Sequence, residues 1–221
     1  MKLNDEIQWT QEAPEVCTDD VNNFWPYLPH RPVIKQEGST KVRPVFEASA
    51  REKSTPSSSQ CLNCGPNLIE FNPSLLLRLR ERKYGVSADS EKAFLQVSVR
   101  KSDGDYLRLL WWTESGQLKV CRHARVVFGV VSSPFSLGAV LKFHLERLSE
   151  DPHYNKRVLV TLKQSFYVDN VVASVDREEE LYQFIQVAKD VISKGMFRLR
   201  SWQYTGDKEI SVSSVFWYIM E

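Results

Sequence analysis

The stretch SFYVDNVVASV, Ser165 to Val175, sets two apolar strand-forming segments on either side of the polar pair Asp169-Asn170, and it predicts a β-hairpin with that pair at its tip. A second strand-forming run, GVSA, ends at another carboxylate, Asp89. Strands of one sheet lie about 4.8 Å apart, so if these two are neighbours their carboxylates converge at one sheet end. Turn chemistry by itself also explains an Asp-Asn tip, because both residues tolerate positive φ and bond to nearby backbone. Two uncompensated carboxylates side by side call instead for a cation, and a divalent ion held by a few carboxylates plus substrate phosphates is the ordinary arrangement in phosphoryl transfer.

The rest of the chain reads as helices laid on an antiparallel sheet. Residues 1–25 are polar and unperiodic, an N-terminal arm, and WPYLPHRP then packs three prolines into eight residues, which favours an extended strap. VIKQEGSTKVRPVFEAS reads as two short strands around EGST, followed by the loop REKSTPSSSQ, expected to be mobile. Pro73 with SLLLRLRERKY starts a helix, and YGVSADSEKAFLQVSV follows as a strand with a polar kink after which alternation resumes. YLRLLWW and LKVCRHARVVF, joined by TESGQ, form a hairpin. Ser133 is placed to cap the next helix, with Pro134 at its first position. Asp176 and Glu179 read as a capping box for a helix with Leu181, Phe184, Ile185, Ala188 and Ile192 on its apolar face, ended by Gly195. FRLRSWQY and SVFWYIM are the closing strands. This order predicts an α+β or α/β fold.

Composition narrows the function classes. With 221 residues the chain is long enough to bury a core in one domain or two packed lobes. No apolar run approaches the roughly 18 residues of a membrane span, and MKLNDEIQWT lacks the order of a signal peptide, so a soluble, intracellular, cytoplasmic protein without a membrane partner is expected. Residues 1–20 carry one Lys against six acidic groups, whereas residues 31–108 hold fourteen Lys and Arg against nine Asp and Glu. A basic middle behind an acidic leader suits a polyanionic partner. Cys61 and Cys64 form a CxxC to which Cys121 and His123 would be the available further zinc ligands, but C-x-H is not a usual second half and free thiols are the plainer reading. No Rossmann glycine pattern or phosphate-binding P-loop is present.

FYVDN resembles the Y-x-D-D box of reverse transcriptases, and SADSEKAFLQV resembles their D-x-x-x-[AG]-[FY] segment. FGVVSSPFSLGAVL resembles the F-G-x-x-x-S-P-F helix that packs against template and incoming nucleotide. YLPHRPVIKQEGSTKVRPVFEASA, GPNL, DSEKAFLQV, LRLLWW, FGVVSSPF and FRLRSW stand in the order, and near the spacing, of the polymerase of BEL/Pao-class long-terminal-repeat retrotransposons, over roughly residues 25–220. The resemblance implies a right-hand polymerase with fingers over about 26–84 and part of 95–130, an antiparallel palm sheet backed by helices over about 85–94 and 131–221, and no thumb. It implies that Asp89 and Asp169 bind Mg²⁺ or Mn²⁺, and that the backbone of Ser90, Glu91, Lys92 and Ala93 cradles the triphosphate. Phe94 would be the gate against a 2′-hydroxyl, for which a bulky ring supplies the excluding volume. Lys41 and Arg43 would grip the triphosphate, Arg198 or Arg200 would reach substrate phosphates, and SVFWYIM would steady the primer end. Phe128, Gly129, Ser133, Pro134 and Tyr167 would face template and incoming nucleotide. Template with primer, deoxynucleoside triphosphates and, in an intact element, protease, ribonuclease H and integrase modules in a virus-like particle are the implied partners.

Two departures bear on the chemistry. Asn170 stands where the box has its second aspartate, keeping the size but losing the charge, and the stop at Glu221 leaves no room for a thumb. FEAS, with Glu47, replaces the commoner F-D-A-S. Two readings follow: an RNA-directed DNA polymerase fragment that transfers nucleotides to a primer 3′-hydroxyl, or an impaired or inactive remnant that keeps the palm fold and nucleic-acid affinity. An unrelated metal phosphotransferase with a similar palm is a third, which the series of matches disfavours.

Overall fold

The computed structural model describes residues 10–12, 27–34, 42–68, 72–113 and 115–205. In chain order the elements are β1 (Thr10–Glu12), β2 (His30–Ile34), β3 (Val42–Phe46), α1 (Ser58–Cys61), α2 (Asn72–Arg80), β4 (Tyr84–Ser90) and α3 (Ala93–Gln96). A 3₁₀ turn (Asp103–Leu107), β5 (Arg108–Trp112), β6 (Leu118–His123), α4 (Ser133–Leu148), α5 (Lys156–Ser165), β7 (Phe166–Tyr167), β8 (Asn170–Val175), α6 (Glu178–Lys194) and β9 (Leu199–Tyr204) follow. They belong to two compact units, Met1–Gly65 with Val97–Ser133, and Pro66–Gln96 with Pro134–Glu221.

In the first unit the predicted hairpins form, and each brings a core strand inward. β5 and β6 pair from Arg108 opposite Arg122 to Trp112 opposite Leu118, β2 and β3 pair antiparallel with Pro32 opposite Pro44, and Leu28, Phe46, Ala48, Leu109, Cys121, Val127 and Val130 make the apolar cluster. Residues 10–12, inside the polar N-terminal arm, add β1 to the edge of β6. The serine-rich loop, expected to be mobile, ends in a turn of helix. Gln60 N–H donates to Ser57 Oγ at 3.3 Å and Ser57 N–H to Gln60 Oε1 at 2.9 Å, a capping box that spacing alone would have shown. Cys61 and Cys64 are exposed free thiols and Cys121 is buried, and among the described residues no three His, Cys, Asp or Glu side chains converge as a metal site. The buried Arg108 is neutralised by Asp105 at 2.9 Å, which also accepts from Arg122 at 3.3 Å.

Gly129 has φ +86°, and a Cβ there would collide with the carbonyl oxygen of Phe46. The glycine is therefore required by the fold of this unit before any role toward a template. Gly129→Ala should lose about 3 kcal/mol or more in chemical denaturation, since backbone cannot yield as a flexible side chain would.

His123, 1% exposed, lies edge-on to Phe46 with ring centroids 4.6 Å apart. Burial first, and repulsion from His30 second, lower its pKa from 6.5 to about 4. The imidazole is thus neutral in the fold and protonates more readily in the unfolded chain, so its contribution is fully present above pH 6.5 and is lost as pH falls toward 4. Urea unfolding at pH 7 and pH 4.5 should differ less in His123→Phe than in the parent, by on the order of 3 kcal/mol.

The second unit is a four-stranded antiparallel sheet in the order β7-β8-β4-β9. Its central strands are buried on both faces, which is why VVASV is nearly continuous in apolar residues. Val172 packs with Leu75 and Leu79 of α2, Ser174 Oγ donates to the Arg78 carbonyl at 2.5 Å, and Val171 and Ala173, on the alternate face, are also buried. A Cβ on Gly85 would lie 2.9 Å from Leu79 Cδ1, so the glycine lets α2 approach β4. α2, read from sequence with the residues before 85, thus packs with β4 and β8. α5 was not predicted, because VLVTL carries strand formers. It is begun by Asn155, whose side chain accepts from Arg157 N–H, and it buries Leu159, Leu162 and Ser165.

Three local expectations shift. AFLQ, read as resumed strand, is the helical turn α3. The sixth helix starts two residues beyond Asp176, whose carboxylate pairs with Arg82 at 2.5 Å rather than capping. Its predicted apolar face does form, with Leu181, Phe184, Ile185, Ala188, Val191 and Ile192 buried. The hydroxyl of Ser133 donates to the Val127 carbonyl at 2.6 Å, and Ser133 rather than Pro134 is the first helical residue of α4. SVFWYIM lies outside the described residues.

Candidate active site at one end of the central sheet

Register decides what meets at the end of this sheet. β4 and β8 pair with Asp89 directly opposite Asn170, and β4 and β9 pair with Asp89 opposite Arg200. Directly opposed residues share a face, with Cβ atoms about 5 Å apart. Asn170, Asp89 and Arg200 therefore form a row across three strands.

The hairpin tip differs from the sequence reading by one residue. Tyr167 pairs with Asn170, so the two tip residues are Val168 and Asp169, and Asn170 is the first residue of β8. Val168 carries φ 54°, a left-handed conformation that a β-branched side chain resists. Nothing in the sequence signals it, because valine is a strand former. The strain is maintained by the ladder on both sides and by Ser90 N–H, which donates to the Asp169 carbonyl at 2.8 Å. The Asp169 backbone is thereby tied to the residue that follows Asp89, and Asn170 Nδ2 donates to Asp169 Oδ1 at 3.2 Å.

Arg200 Nε donates to Asp89 Oδ2 at 3.0 Å and its Nη1 to Glu91 Oε1 at 3.4 Å, while Arg198 Nη1 lies 3.4 Å from Glu91 Oε2. Asp89 is only 16% exposed, so this ion pair is partly shielded from solvent. Glu91 N–H is committed to the Arg198 carbonyl at 2.8 Å. With the Ser90 amide also engaged, Lys92 and Ala93 hold the remaining amides of the 90–93 turn, and Lys92 has φ 50°. The Ser90 hydroxyl is buried and has no hydrogen-bond partner among the described residues. Two aspartates at one strand end are a donor set that suits a hard divalent cation completing its shell with water and phosphate oxygens.

No protein-family model and no curated protein matches the sequence. Among solved structures, the crystal structure of the selenomethionine-labelled prototype foamy virus protease-reverse transcriptase CSH mutant aligns over 88% of this chain with TM-score 0.60 and 15% identity. The foamy viral protease-reverse transcriptase dRH in complex with double-stranded DNA aligns over 88% with TM-score 0.56, and the native prototype foamy virus protein over 78% with TM-score 0.55, both at 18% identity. The fold is reverse transcriptase-like. This chain spans 22%, 28% and 20% of those three longer chains respectively.

Within the reverse transcriptase-like fold, Asp89, Ser90, Glu91, Lys92, Ala93, Phe94, Pro134, Tyr167, Asp169 and Asn170 belong to the second unit, and Phe128, Gly129 and Ser133 to the first. Phe94 is 4% exposed, and Tyr167 packs against the Leu75, Leu79 and Val172 cluster. Phe128 is exposed, and Glu47 pairs with Arg31 at 3.0 Å across β2 and β3. Lys41 lies outside the described residues, as does the side chain of Arg43, whose backbone pairs with Val33. The engagement of Arg200 with Asp89 was not foreseen, since sequence assigned it only to substrate phosphates.

Asn170→Asp would set a second carboxylate directly opposite Asp89. In a chelator it should lower stability by about 1 kcal/mol, and millimolar Mg²⁺ should restore it, as read from melting curves with and without the ion.

Proposed function

We propose that this chain is the fingers and palm of an RNA-directed DNA polymerase from a long-terminal-repeat retrotransposon of the BEL/Pao class, the first unit serving as fingers and the second as palm. The observation that carries the reading is the Asp89 to Asn170 register, which sets Asp89 beside the hairpin that holds Asp169, in a reverse transcriptase-like fold. Asp89 and Asp169 would hold Mg²⁺ or Mn²⁺. When bound, the ion neutralises charge developing on phosphate oxygens and favours an ionised primer 3′-hydroxyl. The amides of Lys92 and Ala93 would orient the triphosphate, and Lys41 and Arg43 are assigned by the sequence resemblance as cations for it. The sugar gate assigned to Phe94 rests on the sequence resemblance. Phe128, Gly129, Ser133, Pro134 and Tyr167 would line template and nucleotide. The primer 3′-hydroxyl attacks the α-phosphate in line, and pyrophosphate leaves. Primer-template and deoxynucleoside triphosphates are the partners, in the cytoplasm, with further polyprotein modules on the intact element.

A specific feature favours the second reading, an impaired remnant. Asn170 brings an amide where the resemblance has a carboxylate, and the amide donates to Asp169 instead of adding charge. Primer extension on an RNA template with Mg²⁺ or Mn²⁺ separates the two. Asn170→Asp should extend faster than the parent by on the order of a hundredfold, and Asp89→Ala should abolish extension. If Asn170→Asp gains nothing and primer-template does not bind, the polymerase reading fails for this chain.

A further inference from the structure

The strand that supplies Arg200 does not reach Asp89 in simple register. Val86 pairs with Tyr204 and Ser87 with Gln203, which would bring Ser201 opposite Asp89, but the ladder slips between Ser87 and Asp89 and sets Arg200 there. Ser201 carries φ 52° at this irregularity. Without the slip Arg200 would fall on the other face of the sheet, because side chains alternate. A left-handed serine costs on the order of 1 kcal/mol, so the fold bears strain at the point that aims a guanidinium at Asp89.

We propose that Arg200 is an internal counter-ion that competes with a divalent cation for Asp89, so that ion binding and release of the guanidinium are coupled. The proposal rests on the reading of Asp89 and Asp169 as an ion site. Arg200 Nε lies 3.0 Å from Asp89 Oδ2, within reach of the carboxylate a cation would take, and like charges so close in a partly buried place disfavour one another. Glu91 makes the exchange feasible. Its Oε1 already lies 3.4 Å from Arg200 Nη1, so a guanidinium leaving Asp89 keeps an anionic partner. Arg198, the other partner of Glu91, is 82% exposed and can yield that carboxylate at little cost. The ion-free site is then held shut by Arg200, and the occupied site turns a cation loose beside the 90–93 turn.

The test is Mn²⁺ binding to the full chain without nucleic acid, followed by the electron paramagnetic resonance of the free ion, in the parent, Arg200→Gln and Asp89→Asn. Arg200→Gln should bind about tenfold more tightly than the parent, and Asp89→Asn more weakly. A second readout needs no folded variant: the Arg200 Nε–H resonance of the ¹⁵N-labelled parent should move saturably with Mg²⁺. Equal Mn²⁺ affinities in the parent and Arg200→Gln, lost in Asp89→Asn, overturn the competition and leave the ion site standing. Absence of saturable binding in all three chains overturns both. Should Arg200→Gln fail to fold, an unmoved Arg200 resonance at saturating Mg²⁺ overturns the proposal.

Discussion

The antiparallel pairing of β4 with β8 is the interaction on which the second unit depends. Both strands are buried on both faces, so a slip of one residue would turn every side chain to the wrong layer and pull Val172 away from α2. The same pairing sets Asp89 opposite Asn170 and leaves Asp169 at the tip. Core packing and the candidate chemistry are therefore two results of one register. The site sits at the end of the most constrained strands in the unit, where a misplacement of its carboxylates would cost the core as well.

Strain marks the two places where a strand is made to present something at that end. Val168 adopts a positive φ at the turn that carries Asp169, and Ser201 does so where the ladder of β4 and β9 slips to bring in Arg200. Backbone outliers persist only when surrounding pairings over-determine them, and here each has paired residues on both sides, Tyr167 with Asn170 around Val168, and Gln203 with Ser87 and Arg200 with Asp89 around Ser201. Charge follows the same logic. In the row Asn170, Asp89, Arg200 one carboxylate faces one guanidinium. The first unit is maintained by different means: the carbonyl of Phe46 admits only Gly129, and Phe46 also packs against a neutral His123.

Much of this was legible in the sequence, for a local reason. The periodic helix after Asp176, the hairpin through Gly116 and the apolar runs that lead to Asp89 and to the hairpin of Asp169 are set by propensities and turn chemistry acting over a few residues. The misses were local signals that pointed the wrong way: VLVTL in α5 and AFLQ in α3 resemble strand, and Asp176 resembles a cap but pairs with Arg82.

By itself, then, the chain determined most of the longer helices and the hairpins, and that two apolar runs each lead to a carboxylate, because those features need only nearby residues. The tertiary structure decided that Val168 rather than Asn170 shares the tip with Asp169, that β1 joins β6, and that Arg200 faces Asp89. Each of these depends on which distant strands pair and in what register; in the second unit the register goes with burying both faces of β4 and β8, a condition no short stretch of sequence expresses.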